Sequence, residues 1–208
     1  MDNLIIIGAG GMGRTICSNA FNCVGYGKEF IVKGFLSDLP SLDDYHGYPS
    51  IIGTIDSYQP QANDVFICSI GDKLRKNCVD KIVSRGGRFI NLIHNTAIIH
   101  SNANIGSGNF IGAYTIIGND VTIGDYNMIQ SHTVIGHDAV VGNYNRIDTH
   151  VTCVGGVIVE NCTNIHTSAV INHRVIVEDN ANIGALSFVI RRVRSGTTVM
   201  GNPAKKLM

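Results

Sequence analysis

An apolar run broken by a glycine-rich turn, strand-like and helix-like segments in alternation, and an aliphatic residue at every sixth position beyond residue 98 together predict the fold class. It is a parallel α/β sheet followed by an all-β parallel β-helix. Composition agrees. The 208 residues include 24 Gly, no Trp, 44% hydrophobic residues and only 7% aromatics, so the core is built from small branched side chains. Sixteen basic residues balance 16 acidic ones, which leaves no electrostatic footprint for nucleic acid or an anionic membrane. Ile, Leu and Val number 56, too many for a disordered chain.

The first strand is Asn3–Ile7, a continuous apolar run of the kind buried on both faces of a parallel sheet. Gly8-Ala9-Gly10-Gly11-Met12-Gly13 follows and turns the chain into a helix, with Ile16, Cys17, Ala20, Phe21 and Val24 expected on one face and Gly25 and Gly27 at its end. Phe30–Leu36 and Asp64–Ile70 read as further strands, and Arg88–Ile93 as a last one. Between the third and last strands, Asp72–Arg85 is helical in pattern, with Leu74, Cys78 and Ile82 on one stripe. Gly8, Gly10 and Gly13 satisfy G-x-G-x-x-G with a strand before and a helix after, the context in which backbone N–H groups hold a phosphate. Asp38 follows the second strand, where an acidic residue bonds a ribose or a base. About 90 residues is half of a dinucleotide fold, so this Rossmann-like half suits a mononucleotide or nucleotide-sugar better than NAD.

From Ile99, steps of six reach Val189 through sixteen positions, fifteen of them Ile or Val and the other Cys153. A helix of period 3.6 cannot hold that register, whereas short strands with one inward aliphatic each can. Three hexads close one triangular coil, so coils recur at every third hexad, as from Ile99 to Ile117. Five coils would stand roughly 24 Å tall. Gly follows the aliphatic at seven sites, and Asn102, Asn104, Asn109, Asn119, Asn127, Asn143 and Asn145 are expected at corners with left-handed backbone. Cys17, Cys23, Cys68, Cys78, Cys153 and Cys162 show no CxxC pairing and read as reduced thiols of a cytoplasmic protein. The start of the chain has no basic, apolar leader, and no window approaches a membrane span of ~20 apolar residues.

Five segments carry a family resemblance: Gly8–Arg14, Ser69–Arg75, Leu92-Ile93-His94, Ile135-Gly136-His137-Asp138 and Gly201-Asn202-Pro203-Ala204-Lys205. In this order around an unbroken hexad register they resemble the hexapeptide acyltransferases that modify bacterial surface sugars. That group comprises sialic-acid O-acetyltransferase-like proteins and nucleotide-4-amino-sugar N-acetyltransferases. The resemblance implies a Rossmann-like nucleotide-sugar domain over 1–93 and a left-handed β-helix of hexapeptide repeats over 94–208. Left-handedness comes from the resemblance alone, since it departs from the usual crossover rule.

It further implies an acetyl-CoA-dependent N-acetyltransferase on a nucleotide-linked amino sugar, with acetyl-CoA as co-substrate, no metal and a homotrimeric assembly. His137 takes the role of general base with Asp138 beside it, and the Gly155 N–H that of oxyanion donor. Gly184, Ala185 and Gly201, Asn202, Pro203, Ala204 and Lys205 would contact acyl-CoA, with Arg191, Arg192 and Lys205 facing its phosphates. Gly8, Gly10, Gly11, Met12, Gly13, Asp38, Gly71, Asp72 and Lys73 would hold the nucleotide-sugar. Arg146 stands where relatives carry a second active-site His near the acyl group, Thr149-His150 replaces a frequent Pro-Gly, and His94-Asn95 a frequent His-Pro.

Three other functions compete. A sugar O-acetyltransferase would use the same residues. A zinc enzyme similar to γ-type carbonic anhydrases would use His132 and His137 with a third ligand from His150, His166 or His173. A non-catalytic nucleotide-sugar-binding trimer would have lost the active site.

Overall fold

The computed structural model describes residues 1–71 and 74–207. The chain divides into two compact units, Met1–Asn95 and Thr96–Met208.

In the first unit β1 (Asp2–Ile7), α1 (Gly11–Ala20), β2 (Phe30–Leu36), β3 (Ile51–Gly53), β4 (Asp64–Cys68), α2 (Leu74–Val83), β5 (Arg88–Phe89) and β6 (Leu92–Ile93) follow in order. Five of these strands form a parallel sheet in the order β3-β2-β1-β4-β5. Leu4 to Ile7 and Val65 to Ile67 are buried because β1 and β4 lie at its centre. The strand order reverses between β1 and β4, so a crevice opens beyond their carboxyl ends.

Four local expectations change. β3 is too short to declare itself in the sequence, and the last predicted strand is two short ones. Helix α1 stops at Ala20, leaving Phe21 and Val24 exposed, because its buried stripe ends with Ile16, Cys17 and Ala20. In α2 the buried face is Arg75, Val79 and Ile82: Ile82 is buried as expected, Arg75 and Val79 replace Leu74 and Cys78, and Leu74 points to solvent.

The second unit is a left-handed β-helix. Sixteen two-residue strands, from β7 (Ile98–Ile99) to β22 (Phe188–Val189), begin every six residues. Each pairs in parallel with the strand three hexads away, as in Ile117↔Ile135↔Cys153↔Ile171↔Val189. Every third strand therefore shares a sheet, and the aliphatic residues fill one continuous core. The predicted three-hexad coil is thus found. After β22 the period breaks: β23 (Thr198–Met200) pairs with Asn182–Ile183 over a shortened coil, and β24 (Lys205–Lys206) returns antiparallel on it.

The corners hold a second correction. Left-handed backbone recurs every six residues from Gly108 to Leu186, and twelve of these positions are not glycine; Tyr, His and Asp predominate, and Asn180 is the one Asn. Each such residue carries strain on the order of 1 kcal/mol. Stacking compensates it, since the N–H at such a corner donates to a carbonyl of the preceding coil, as from Tyr144 to Asp125 at 2.9 Å. Of the asparagines expected there, Asn102, Asn119 and Asn143 lie in these turns, though not at the left-handed position, and Asn104 lies on a strand. Asn109, Asn127 and Asn145 are fully buried and stacked, each Oδ1 accepting at 2.8 Å the backbone N–H of its counterpart one coil on.

Four of the six cysteines are buried and none of the six forms a disulfide. Burial pushes the thiols of Cys23, Cys68 and Cys153 up to about 12, so they are inert packing groups.

Candidate functional site

The candidate side chains fall into two groups, one in each unit. In the first, the glycine turn is set by packing as well as by any ligand. Gly8 adopts φ +98°, and a Cβ there would meet Ser69 Oγ at 2.6 Å. A Cβ on Gly13 would overlap the Gly8 carbonyl oxygen, so strand and helix approach as only glycine permits. Ser69 Oγ donates to the carbonyls of Ile7 (2.7 Å) and Gly8 (3.0 Å), holding the β4 end beside the turn. Helix α1 has Gly10 as its N-cap, with no side-chain cap and no acidic residue in its first turn, so its amide dipoles meet no carboxylate there.

Gly10 and Gly11 have open space over their Cα atoms, as does Gly71 beyond β4. Met12 sits in the first turn of α1, and Asp38 is exposed after β2. Asp72 and Lys73 lie outside the described residues. Two further residues belong to this region. Arg14 stacks its guanidinium 3.6 Å over the Tyr45 ring, and Tyr45 lines a cavity of about 440 Å³ with Asp43, His46 and Tyr48. Arg75 is buried in α2 with Nε donating to Ile70 O at 2.8 Å, which puts a cation under the β4–α2 turn.

In the solenoid, His137 and Asp138 occupy one corner. Asp138 takes the left-handed conformation (φ +58°) and its N–H donates to Asn119 O at 3.0 Å. His137 O accepts from Gly156 N at 2.8 Å, so the corner is pinned by the coils on both sides. His137 Nδ1 lies 2.6 Å from Asp138 Oδ2. A nitrogen facing a carboxylate carries the hydrogen, which leaves Nε2 with its lone pair. Both side chains are over 60% exposed, so a substrate can reach them.

Gly155 lies one coil on, and a Cβ there would overlap the imidazole at Nε2 and Cε1. Its N–H finds no acceptor among the described residues. A free base nitrogen and a free backbone donor thus share one corner. His173, another coil on, has its ring 6.4 Å from that of His137. The sequence reading offered it only as one of three candidate zinc ligands with His132 and His137, although the coil repeat through 137, 155 and 173 places it on the His137 column.

The residues expected to meet acyl-CoA are divided. Ala204 and Lys205 line a cleft of about 400 Å³ with Arg191, Arg192, Arg194 and Lys206. Glu178 pairs with Arg192 (2.5 Å) and Arg194 (3.3 Å), while Arg191 and both lysines make no ion pair among the described residues. Gly201 (φ +105°) and the cis Asn202–Pro203 bond form the turn before this cleft. Gly184 lies beneath Met200, whose Cγ would stand 2.8 Å from a Cβ there, and Ala185 follows it at the exposed turn. Arg146 is elsewhere, on a strand two coils earlier, with Nε 2.7 Å from Asp148 Oδ1.

His132 and His137 belong to different corners. The His132 ring stacks between Tyr114 (5.0 Å) and His150 (4.7 Å), away from the His137 column. Among the described residues no group of three His, Cys, Asp or Glu is placed to hold a metal ion. Among them, too, no helix is long and apolar enough to cross a membrane.

Residues 3–82 match the family described as PglD N-terminal domain, and residues 102–137 match bacterial transferase hexapeptide (six repeats). No curated protein matches in a sequence comparison. Among solved structures, the acetyltransferase domain of PglB from Neisseria gonorrhoeae FA1090 is similar over 100% of both chains (24% identity, TM-score 0.89). The same domain in complex with acetyl coenzyme A is 25% identical over 99% of this chain and 98% of that one, with TM-score 0.87. PerB from Caulobacter crescentus, in complex with CoA and GDP-perosamine, covers 100% and 98% (24% identity, TM-score 0.89). WeeI from Acinetobacter baumannii AYE covers 100% of both chains at 23% identity with TM-score 0.88.

Proposed function

We propose that this chain, which carries a PglD N-terminal domain and bacterial transferase hexapeptide repeats, is an acetyl-CoA-dependent N-acetyltransferase. Its acceptor is the amino group of a nucleotide-linked 4-amino sugar, made in the cytoplasm for bacterial surface glycans. One observation carries the reading: the His137–Asp138 pair presents Nε2 beside the unbonded N–H of Gly155. The PerB complex with CoA and GDP-perosamine, on the same fold, supports the substrate class.

In the reaction, the acceptor nitrogen attacks the thioester carbonyl carbon and Nε2 of His137 takes the proton the nitrogen loses. Asp138 stabilises the imidazolium that forms. The Gly155 N–H donates to the oxyanion of the tetrahedral intermediate. Collapse breaks the C–S bond, and the leaving thiolate recovers a proton from the imidazolium. The switch-point crevice of the first unit, with Gly8–Gly13, Asp38 and Gly71–Lys73, holds the nucleotide-sugar. Arg191 and Lys205 face the CoA phosphates.

A homotrimer completes the site. Ile98, Ile116, Val134, Val170 and Phe188 run down the outer face of one sheet, and Ile98 is 56% exposed, so this apolar stripe is suited to a second copy.

Turnover of acetyl-CoA with UDP-, dTDP- and GDP-linked 4-amino sugars tests the reading. His137→Ala should lower kcat by about 10²–10⁴-fold with the melting temperature unchanged. Equal rates for the two proteins would remove His137 as base. Turnover on sugar hydroxyls alone would make the protein an O-acetyltransferase.

A further inference from the structure

A second side-chain cluster stands on another column of the solenoid, outside the His137 corner. Gln130, Asp148 and His166 succeed one another a coil apart, and Gly184 continues the column. The Asp148 carboxylate is 8% exposed and accepts from three side chains. Gln130 Nε2 reaches Oδ1 at 2.5 Å, Arg146 Nε reaches Oδ1 at 2.7 Å and His166 Nδ1 reaches Oδ2 at 3.2 Å.

As a stability device the cluster is poor. Removing a carboxylate from water costs several kcal/mol, and a hydrophobic set of equal volume does as well or better. As a positioning device it is effective. Asp148 engages Arg146 only through Nε, and the guanidinium makes no other hydrogen bond among the described residues. Its Nη1 and Nη2 therefore remain as a fork whose plane is fixed by a buried, triply held carboxylate, with the side chain 34% exposed. Gln130 and His166 hold the same carboxylate from the coils on either side, so it cannot swing away from Arg146.

We infer that Asp148 is a positioning residue that presets the Arg146 guanidinium as a receptor for a two-oxygen anionic group of the acyl donor. The inference rests on the acyl-CoA reading and deepens it. The column Asp148–His166–Gly184 joins Arg146 to the segment expected to contact acyl-CoA, and His166 stands between them. Two sources supply such a group: the phosphates of CoA, or a carboxylate at the far end of the acyl chain.

The test uses the full-length protein with Asp148→Asn, Arg146→Ala and the double variant. CoA binding is measured by calorimetry, and turnover is compared for acetyl-CoA and succinyl-CoA. If the phosphates are the ligand, each single variant weakens CoA binding about tenfold, the loss of one charge-assisted contact. If a carboxylate is the ligand, CoA binding holds and the succinyl-to-acetyl rate ratio falls about tenfold. In either case the double variant should be no worse than Arg146→Ala, because Asp148 acts through Arg146. A purely structural Asp148 would lower the melting temperature and leave both readouts unmoved.

Arg146→Ala is partly exposed and keeps the question open to refutation if Asp148→Asn fails to fold. CoA affinity and rate ratio both within twofold of wild type in Arg146→Ala overturn the inference. Wild-type protein that binds CoA without acetylating any amino sugar overturns the proposed function instead. If that binding still weakens tenfold in the variants, the Arg146 receptor stands.

Discussion

The two units put chemistry into a chain in opposite ways. In the sheet unit, the residues suited to a ligand are the ones the fold requires anyway: Gly13 is glycine because the Gly8 carbonyl occupies the space of its Cβ. In the solenoid, the repeat dictates the inward aliphatic, and outward corner positions are open to other residues. His137, Asp138 and Arg146 stand out because the hexad does not need them. A functional residue is therefore hard to separate from a structural one in the first unit and easy in the second. Identical substitutions should behave differently across the two.

Alanine at a single glycine in each unit gives the widest separation. Gly13→Ala drives a Cβ into backbone, which cannot give way, and should destabilise the protein by about 3 kcal/mol or more in thermal unfolding. Gly155→Ala meets only the end of the His137 side chain, which can rotate off its corner. Its melting temperature should stay within about 1–2 °C of wild type, roughly a 0.5 kcal/mol change. Its kcat should fall about 10²-fold through misplacement of the base. If Gly155→Ala unfolds the protein and Gly13→Ala does not, the contrast between the units is wrong.

A smaller effect probes whether the solenoid interior is as purely repetitive as its sequence. Asn127, itself fully buried, donates through Nδ2 to Gly142 O (2.8 Å) and accepts at Oδ1 from Asn145 N (2.8 Å). Asn127→Ala removes both of these bonds and should cost about 2 kcal/mol, read as a shift in denaturant midpoint. An unchanged midpoint would show that the coils close over the gap.

How much of this the sequence revealed follows the same division. The period told which residues face inward and where coils close, because a six-residue clock is a global signal. It placed Asn102, Asn119 and Asn143 in turns but misassigned Asn109, Asn127 and Asn145, since residue type alone cannot tell a corner exposed to water from a buried ladder. In the sheet unit, the glycine turn and the central strands were legible from local context. The three-residue β3 and the ends of α1 and α2 were not, because tertiary contacts outweigh weak helix periodicity there. The Asp148 cluster was invisible to local reading: Gln130, Asp148 and His166 belong to successive coils and meet only when the coils stack.

The weakest expected effect concerns acid, and it too should divide the units. Asp64 opens β4 with its carboxylate fully buried, taking hydrogen bonds from Lys33 Nζ (2.8 Å), Tyr58 OH (2.7 Å) and Gln61 N (2.9 Å). Burial alone would raise its pKa, but these three donors, Lys33 foremost, outweigh it and hold the group below its ordinary value of 3.8. A depressed folded-state value means that the contribution is fully present above the unfolded value. It is lost as pH falls from about 4 through the folded value. Lys33 is 32% exposed, so solvent screens the pair and the contribution is on the order of 1 kcal/mol. Hydrogen exchange followed from pH 6 to pH 3 should show β4 and its neighbours β1 and β5 losing protection ahead of the apolar solenoid core. Asp64→Asn, already weakened at pH 6, should lose less on acidification than wild type. An equal acid response in both proteins would remove Asp64 as the source of the difference.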